Sequence, residues 1–87
     1  MTEKTVNEIY WIWEKWSRDP DRTIDGLKRR LREEGFKVVR SYRTAVTGTC
    51  AAGFAPEHTH IVIKVNDYEV ILCTMSGYIL YKPREVE

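Results

Sequence analysis

The sequence predicts an α+β domain in which two N-terminal helices pack on one face of a mostly antiparallel four-stranded sheet, in the order ααββββ. Three observations predict it. Apolar residues recur at helical spacing in the first third of the chain. The last third is a succession of β-rich runs broken by short turn signals. Finally, 87 residues with 43% hydrophobic and 31% charged content suit a single domain, 1–87, with an ordinary core.

The first helix is expected over about 5–17, where Val6, Ile9, Tyr10, Trp13 and Trp16 form one stripe, Ile12 flanks it and Trp11 points elsewhere. The second is expected over about 20–34. Asp19 is a suitable N-cap, Pro20 fits the first helical position, Ile24, Leu27 and Leu31 face inward, and Gly35 ends it. Gly26, costly inside a helix, suggests a close approach of the first helix. A strand follows over about 36–43, then an irregular loop over 45–57 that holds Gly48, Cys50, Gly53 and Pro56.

Strands at about 59–65, 68–74 and 78–82 complete the sheet, joined at Asn66-Asp67 and Ser76-Gly77. These turns put His60 opposite Cys73, and Cys73 opposite Leu80. Alternation then gives one apolar face, Ile61, Ile63, Val65, Tyr68, Val70, Leu72, Ile79 and Tyr81, which should receive the helices. The other face is mixed and carries His58, His60, Val62, Lys64, Glu69, Ile71, Cys73, Met75, Tyr78, Leu80 and Lys82.

Two cysteines are too few for a secreted disulfide scaffold. No apolar run approaches the ~20 residues a bilayer demands, and the first residues contain no signal-peptide core. A cytoplasmic protein without a membrane partner is expected. The net charge of +1 is unevenly spread: residues 1–25 carry −2, residues 26–43 carry +5, and residues 44–87 carry −2.

Three groups of residues carry candidate chemistry. His58 and His60 share a strand face with Cys73, a donor set that admits zinc or iron, although its spacing matches no common zinc signature. Lys28, Arg29, Arg32 and Arg40, with Tyr42 for stacking, form a candidate nucleic-acid footprint, opposed by Arg29–Glu33 and Arg30–Glu34 pairing along the helix. Trp11, Val62, Ile71, Met75 and Leu80 are candidate protein-binding residues, because two helices cover one sheet face and leave a half-apolar one in water.

Leu27–Arg32 followed by Gly35-Phe36-Lys37-Val38-Val39-Arg40-Ser41 resembles the opening of archaeal Holliday-junction resolvases and related nucleases. The resemblance implies an Asp and a Glu-x-Lys on the following strands, to hold magnesium. Here those strands read Ile63-Lys64-Val65 and Asp67-Tyr68-Glu69, with no acid two residues before Lys64, so the activity is not carried over.

With no complete catalytic set in the sequence, the expectation is a small non-catalytic binding or regulatory protein acting on another protein or on itself, without a cofactor. Nucleic-acid binding through 28–43 is the first alternative. A metal-binding protein or metal-dependent enzyme using His58, His60 and Cys73 is the second.

Overall fold

Thr2 opens the first helix by accepting the Thr5 backbone N–H on its hydroxyl (3.3 Å). The computed structural model describes residues 2–46 and 54–83. They form α1 (Glu3–Ser17), α2 (Ile24–Glu33), β1 (Lys37–Val46), β2 (Phe54–Val65), β3 (Tyr68–Cys73) and β4 (Ile79–Pro83). The strands make one antiparallel sheet in the order β1-β2-β3-β4. This is the α+β architecture the sequence predicts.

The second helix begins later than expected. Asp19 does not cap it: one carboxylate oxygen accepts the Asp21 backbone N–H (2.9 Å) and the other takes the Arg30 guanidinium (2.5 Å). Thr23 caps the helix instead, its hydroxyl accepting the Gly26 N–H at 3.0 Å. The Thr23 carbonyl also accepts the Trp16 indole N–H (2.7 Å), which ties the interhelical turn to α1. Arg30 is thereby drawn to Asp19 rather than Glu34. A Cβ on Gly26 would meet Thr23 Oγ1 at 3.0 Å and no atom of α1, so this glycine serves no helix–helix approach.

The end of α2 follows the sequence closely. Gly35 adopts φ +90°, and two hydrogen bonds close the terminus, Phe36 N–H to Leu31 O and Gly35 N–H to Arg32 O, each 2.9 Å. Phe36 then packs on the core.

That core lies between the helices and the expected sheet face. Ile9, Trp16, Leu27 and Leu31 meet Ile61, Ile63, Val70 and Leu72, and Trp13, Val38, Val65 and Ile79 pack around them. The stripe on α1 is rotated slightly from its expected centre: Tyr10 is exposed, whereas Ile12 and Trp13 are partly covered.

Three features of the sheet differ from expectation. First, both ends of the loop expected at 45–57 are strand. β1 runs to Val46 and β2 starts at Phe54, while 47–53, with Cys50, lie outside the described residues. Second, β1 carries a bulge: Val38 pairs with Ile63, but Arg40 pairs with Val62, which leaves Val39 unpaired. Third, the β3–β4 register is shifted by two residues from the one the turn residues suggested, so Leu80 faces Ile71 and Ile79 faces Leu72. The longer turn ends on Gly77, at φ +75°, whose N–H donates to the Cys73 carbonyl (2.9 Å). Because the shift is even, no side chain changes face.

Gly77 is required where it stands. A Cβ there would lie 2.5 Å from the Trp13 ring, and Trp13 donates its indole N–H to the Thr74 carbonyl at 2.8 Å. Gly77→Ala combines this clash with a left-handed backbone. We expect a loss of at least about 2 kcal/mol in denaturant unfolding. A loss below about 0.5 kcal/mol would mean that Trp13 does not seal this turn.

Candidate metal centre

The bulge in β1 decides what lies beside the histidines. Without it, Arg40 and Tyr42 would continue the alternation of Val38 and point toward the helices. One extra residue flips the rest of the strand. Tyr42 therefore stands opposite His60 and Thr44 opposite His58. On the other side of β2, His60 pairs with Cys73, as expected from the Asn66-Asp67 turn. Asn66 makes that turn in the left-handed region, φ +53°.

Tyr42, His60 and Cys73 thus form a row across three strands, with His58 two residues before His60. Both histidines are 8% exposed and Cys73 3%. Their donor atoms, Nε2 or Nδ1 of each imidazole and Sγ, all lie within 4.8 Å of one another. Among the described residues they are the one group of three or more metal-ligating side chains.

The hydrogen bonds define a direction. The Pro56 carbonyl can only accept, so His58 donates its Nδ1–H to it (2.8 Å). A neutral His58 then presents a bare Nε2, which accepts Nε2–H from His60 at 3.0 Å. His60 Nδ1 in turn accepts the Tyr42 hydroxyl at 3.3 Å. The chain Tyr42→His60→His58→Pro56 is fully paired when both imidazoles are neutral. The rings also pack, with centroids 4.8 Å apart for His58–His60 and 5.4 Å for Tyr42–His60.

Burial drives His60 below its ordinary pKa of 6.5, and the neighbouring His58 adds to the effect. The neutral imidazole that this favours is the form that ligates a metal.

The other candidate residues are scattered. Lys28, Arg29 and Arg32 lie on α2, whose Leu27 and Leu31 point into the core, whereas Arg40 and Tyr42 lie on the opposite side of the sheet. The basic segment is therefore continuous in sequence and divided in space. Arg40 stands 3.9 Å from Glu69, and Arg43 pairs with Glu57 at 2.7 Å. Trp11 is 56% exposed beside a groove of about 640 Å³ between the helices, where Lys15, Arg29 and Arg30 are matched by Glu8, Glu33 and Glu34. Val62 is fully buried and Ile71 partly so, while Met75 and Leu80 are exposed.

Sequence reasoning put His58, His60 and Cys73 on one strand face, and the structure brings them close together. It missed Tyr42 and the Pro56 carbonyl as their hydrogen-bond partners, since nothing in Val38-Val39-Arg40 announces a bulge. Comparison of the chain with protein-family models, curated proteins and solved structures gives no match.

A depressed His60 pKa means that the folded state holds fewer protons than the unfolded state between that pKa and 6.5. The associated stability is complete above 6.5 and is lost as pH falls through the folded value. For metal-free protein we expect urea midpoints flat above about pH 7 and falling below it. The fall that sets in below pH 6.5 should shrink in His60→Gln. Identical profiles for the two proteins would mean that His60 titrates as a solvated imidazole.

Proposed function

We propose that this chain is a metal-binding protein that holds one borderline or soft transition-metal ion on His58, His60 and Cys73. The observation that carries the reading is the orientation of the two imidazoles. Their Nε2 atoms face each other at 3.0 Å, and each Nδ1 already has an oxygen partner. Metal-bound histidines characteristically donate the far ring N–H to a carbonyl or similar oxygen, which fixes the ring and raises its basicity. Here Pro56 O and Tyr42 Oη supply those oxygens.

The fit requires little motion. Nitrogens bound at about 2.0–2.1 Å to one ion stand roughly 3.3–3.5 Å apart, so the rings need separate by only a few tenths of an ångström. His60 exchanges its proton between ring nitrogens, and its Nδ1–H then donates to the Tyr42 hydroxyl. Cys73 Sγ lies within 4.8 Å of a donor nitrogen of each imidazole. Two imidazoles and a thiolate exclude magnesium and calcium, which take oxygen ligands.

Protein purified without a polyhistidine tag should take up one equivalent of Co(II), with the visible bands of thiolate-bound, low-coordinate cobalt. At 100 times its dissociation constant a bound ion adds about 2.7 kcal/mol to stability. For a domain of this size that is a melting-temperature rise on the order of 10–20 °C. His60→Ala should abolish both signals. Absent bands and an unchanged melting temperature would remove the proposal.

A second reading rests on strand β4. It lies at the sheet edge, and Leu80 and Tyr81 on it, with Met75 and Tyr78 just before it, are each 42–45% exposed. An apolar edge strand is a template for pairing with another chain, which supports a protein-binding or self-associating role. Light scattering should then show association that Leu80→Lys reverses without unfolding the protein. A wild-type monomer at every concentration would count against self-association.

A further inference from the structure

The charge of the site selects among metals. Its three donors carry a single negative charge when the Cys73 thiol gives up its proton to the metal, because both imidazoles ligate in neutral form. No carboxylate belongs to the group among the described residues. All three ligands are nearly inaccessible to water, at 3–8% exposure.

A buried charge without a counter-charge is strongly unfavourable. A divalent ion held by these three donors alone would leave one uncompensated positive charge, whereas a monovalent ion leaves none. Coordination number points the same way. Zinc takes four ligands, completing a three-residue set with water or substrate. Cu(I), a d10 ion, is satisfied by three, and thiolate with imidazole is a donor set it favours.

We infer that the cargo of the His58–His60–Cys73 site is Cu(I), held three-coordinate and electrically neutral. The inference rests on the metal-binding reading above and adds the identity and oxidation state of the ion. No electron transfer is involved: the ion enters as Cu(I), the thiol proton passes to solvent, and one Cu–S and two Cu–N bonds form.

The test is an anaerobic titration of the full chain with Cu(I) buffered by a chromophoric chelator, alongside Zn(II) buffered by its own indicator. We expect one Cu(I) per chain and an X-ray absorption edge of a three-coordinate ion with one sulfur and two nitrogens. His58→Ala and His60→Ala should each weaken Cu(I) binding roughly 100-fold, and the wild-type absorption edge needs no variant. Cys50→Ser, which leaves Cys73 as the one thiol, should bind Cu(I) as wild type does.

Several results would overturn the inference. Cu(I) affinity indifferent to both histidines would mean capture by thiol alone. Loss of binding in Cys50→Ser would mean a two-thiolate site, which a divalent ion neutralises. Tight, four-coordinate Zn(II) with weaker Cu(I) would keep the metal site and refute its assignment. Failure of Co(II), Zn(II) and Cu(I) alike would end both readings.

Discussion

The pairing of β2 with its two neighbours is the constraint on which everything else rests. Its register with β3 sets His60 beside Cys73, and its register with β1 sets Tyr42 on the far side. A slip of one residue on either side would send half of the row to the helical face. The same pairing delivers Ile61, Ile63, Val70 and Leu72 to the core. Core and polar cluster are two faces of one register, so burial of the apolar residues holds the imidazoles in place.

The two faces are stabilised by different physics. On the helical side, non-directional burial of aliphatic and indole groups dominates, with the Trp13 and Trp16 N–H groups satisfied by backbone carbonyls at 2.8 and 2.7 Å. On the other side, no helix lies over the sheet among the described residues. There the buried polar groups depend on a directional chain in which every ring nitrogen has a partner. Such a network tolerates neutral rings and resists a proton, which matches the depressed pKa of His60.

Much of this was legible in the sequence, and the failures have physical causes. Hydrophobic spacing revealed both helices, and Gly35 marked the end of α2 because a left-handed residue closes that terminus. The Asn66-Asp67 turn fixed the His60–Cys73 pair. The start of α2 was misread because Asp19 and Thr23 are both good caps, and only tertiary partners, Arg30 for one and Trp16 for the other, decide between them. The second turn was misread because Gly77 is dictated by the Trp13 ring, far away in sequence. The bulge at Val39 leaves no local trace, and it sets Tyr42, a candidate stacking residue, beside His60. The basic segment shows the converse: a charge cluster in sequence that a helix and a bulged strand distribute to opposite sides.

The directed chain of hydrogen bonds is the central claim, and histidine tautomers report it directly. Long-range proton–nitrogen correlation of the metal-free protein, at neutral pH, reads which ring nitrogen of each histidine carries the proton. His58 should be in the Nδ1–H form, the less common one for a free imidazole, because the Pro56 carbonyl can only accept; His60 should be in the Nε2–H form. If His58 is found as Nε2–H, or if both rings carry two protons, the imidazoles do not face each other as lone pair and donor. The convergent site built on them would then be wrong.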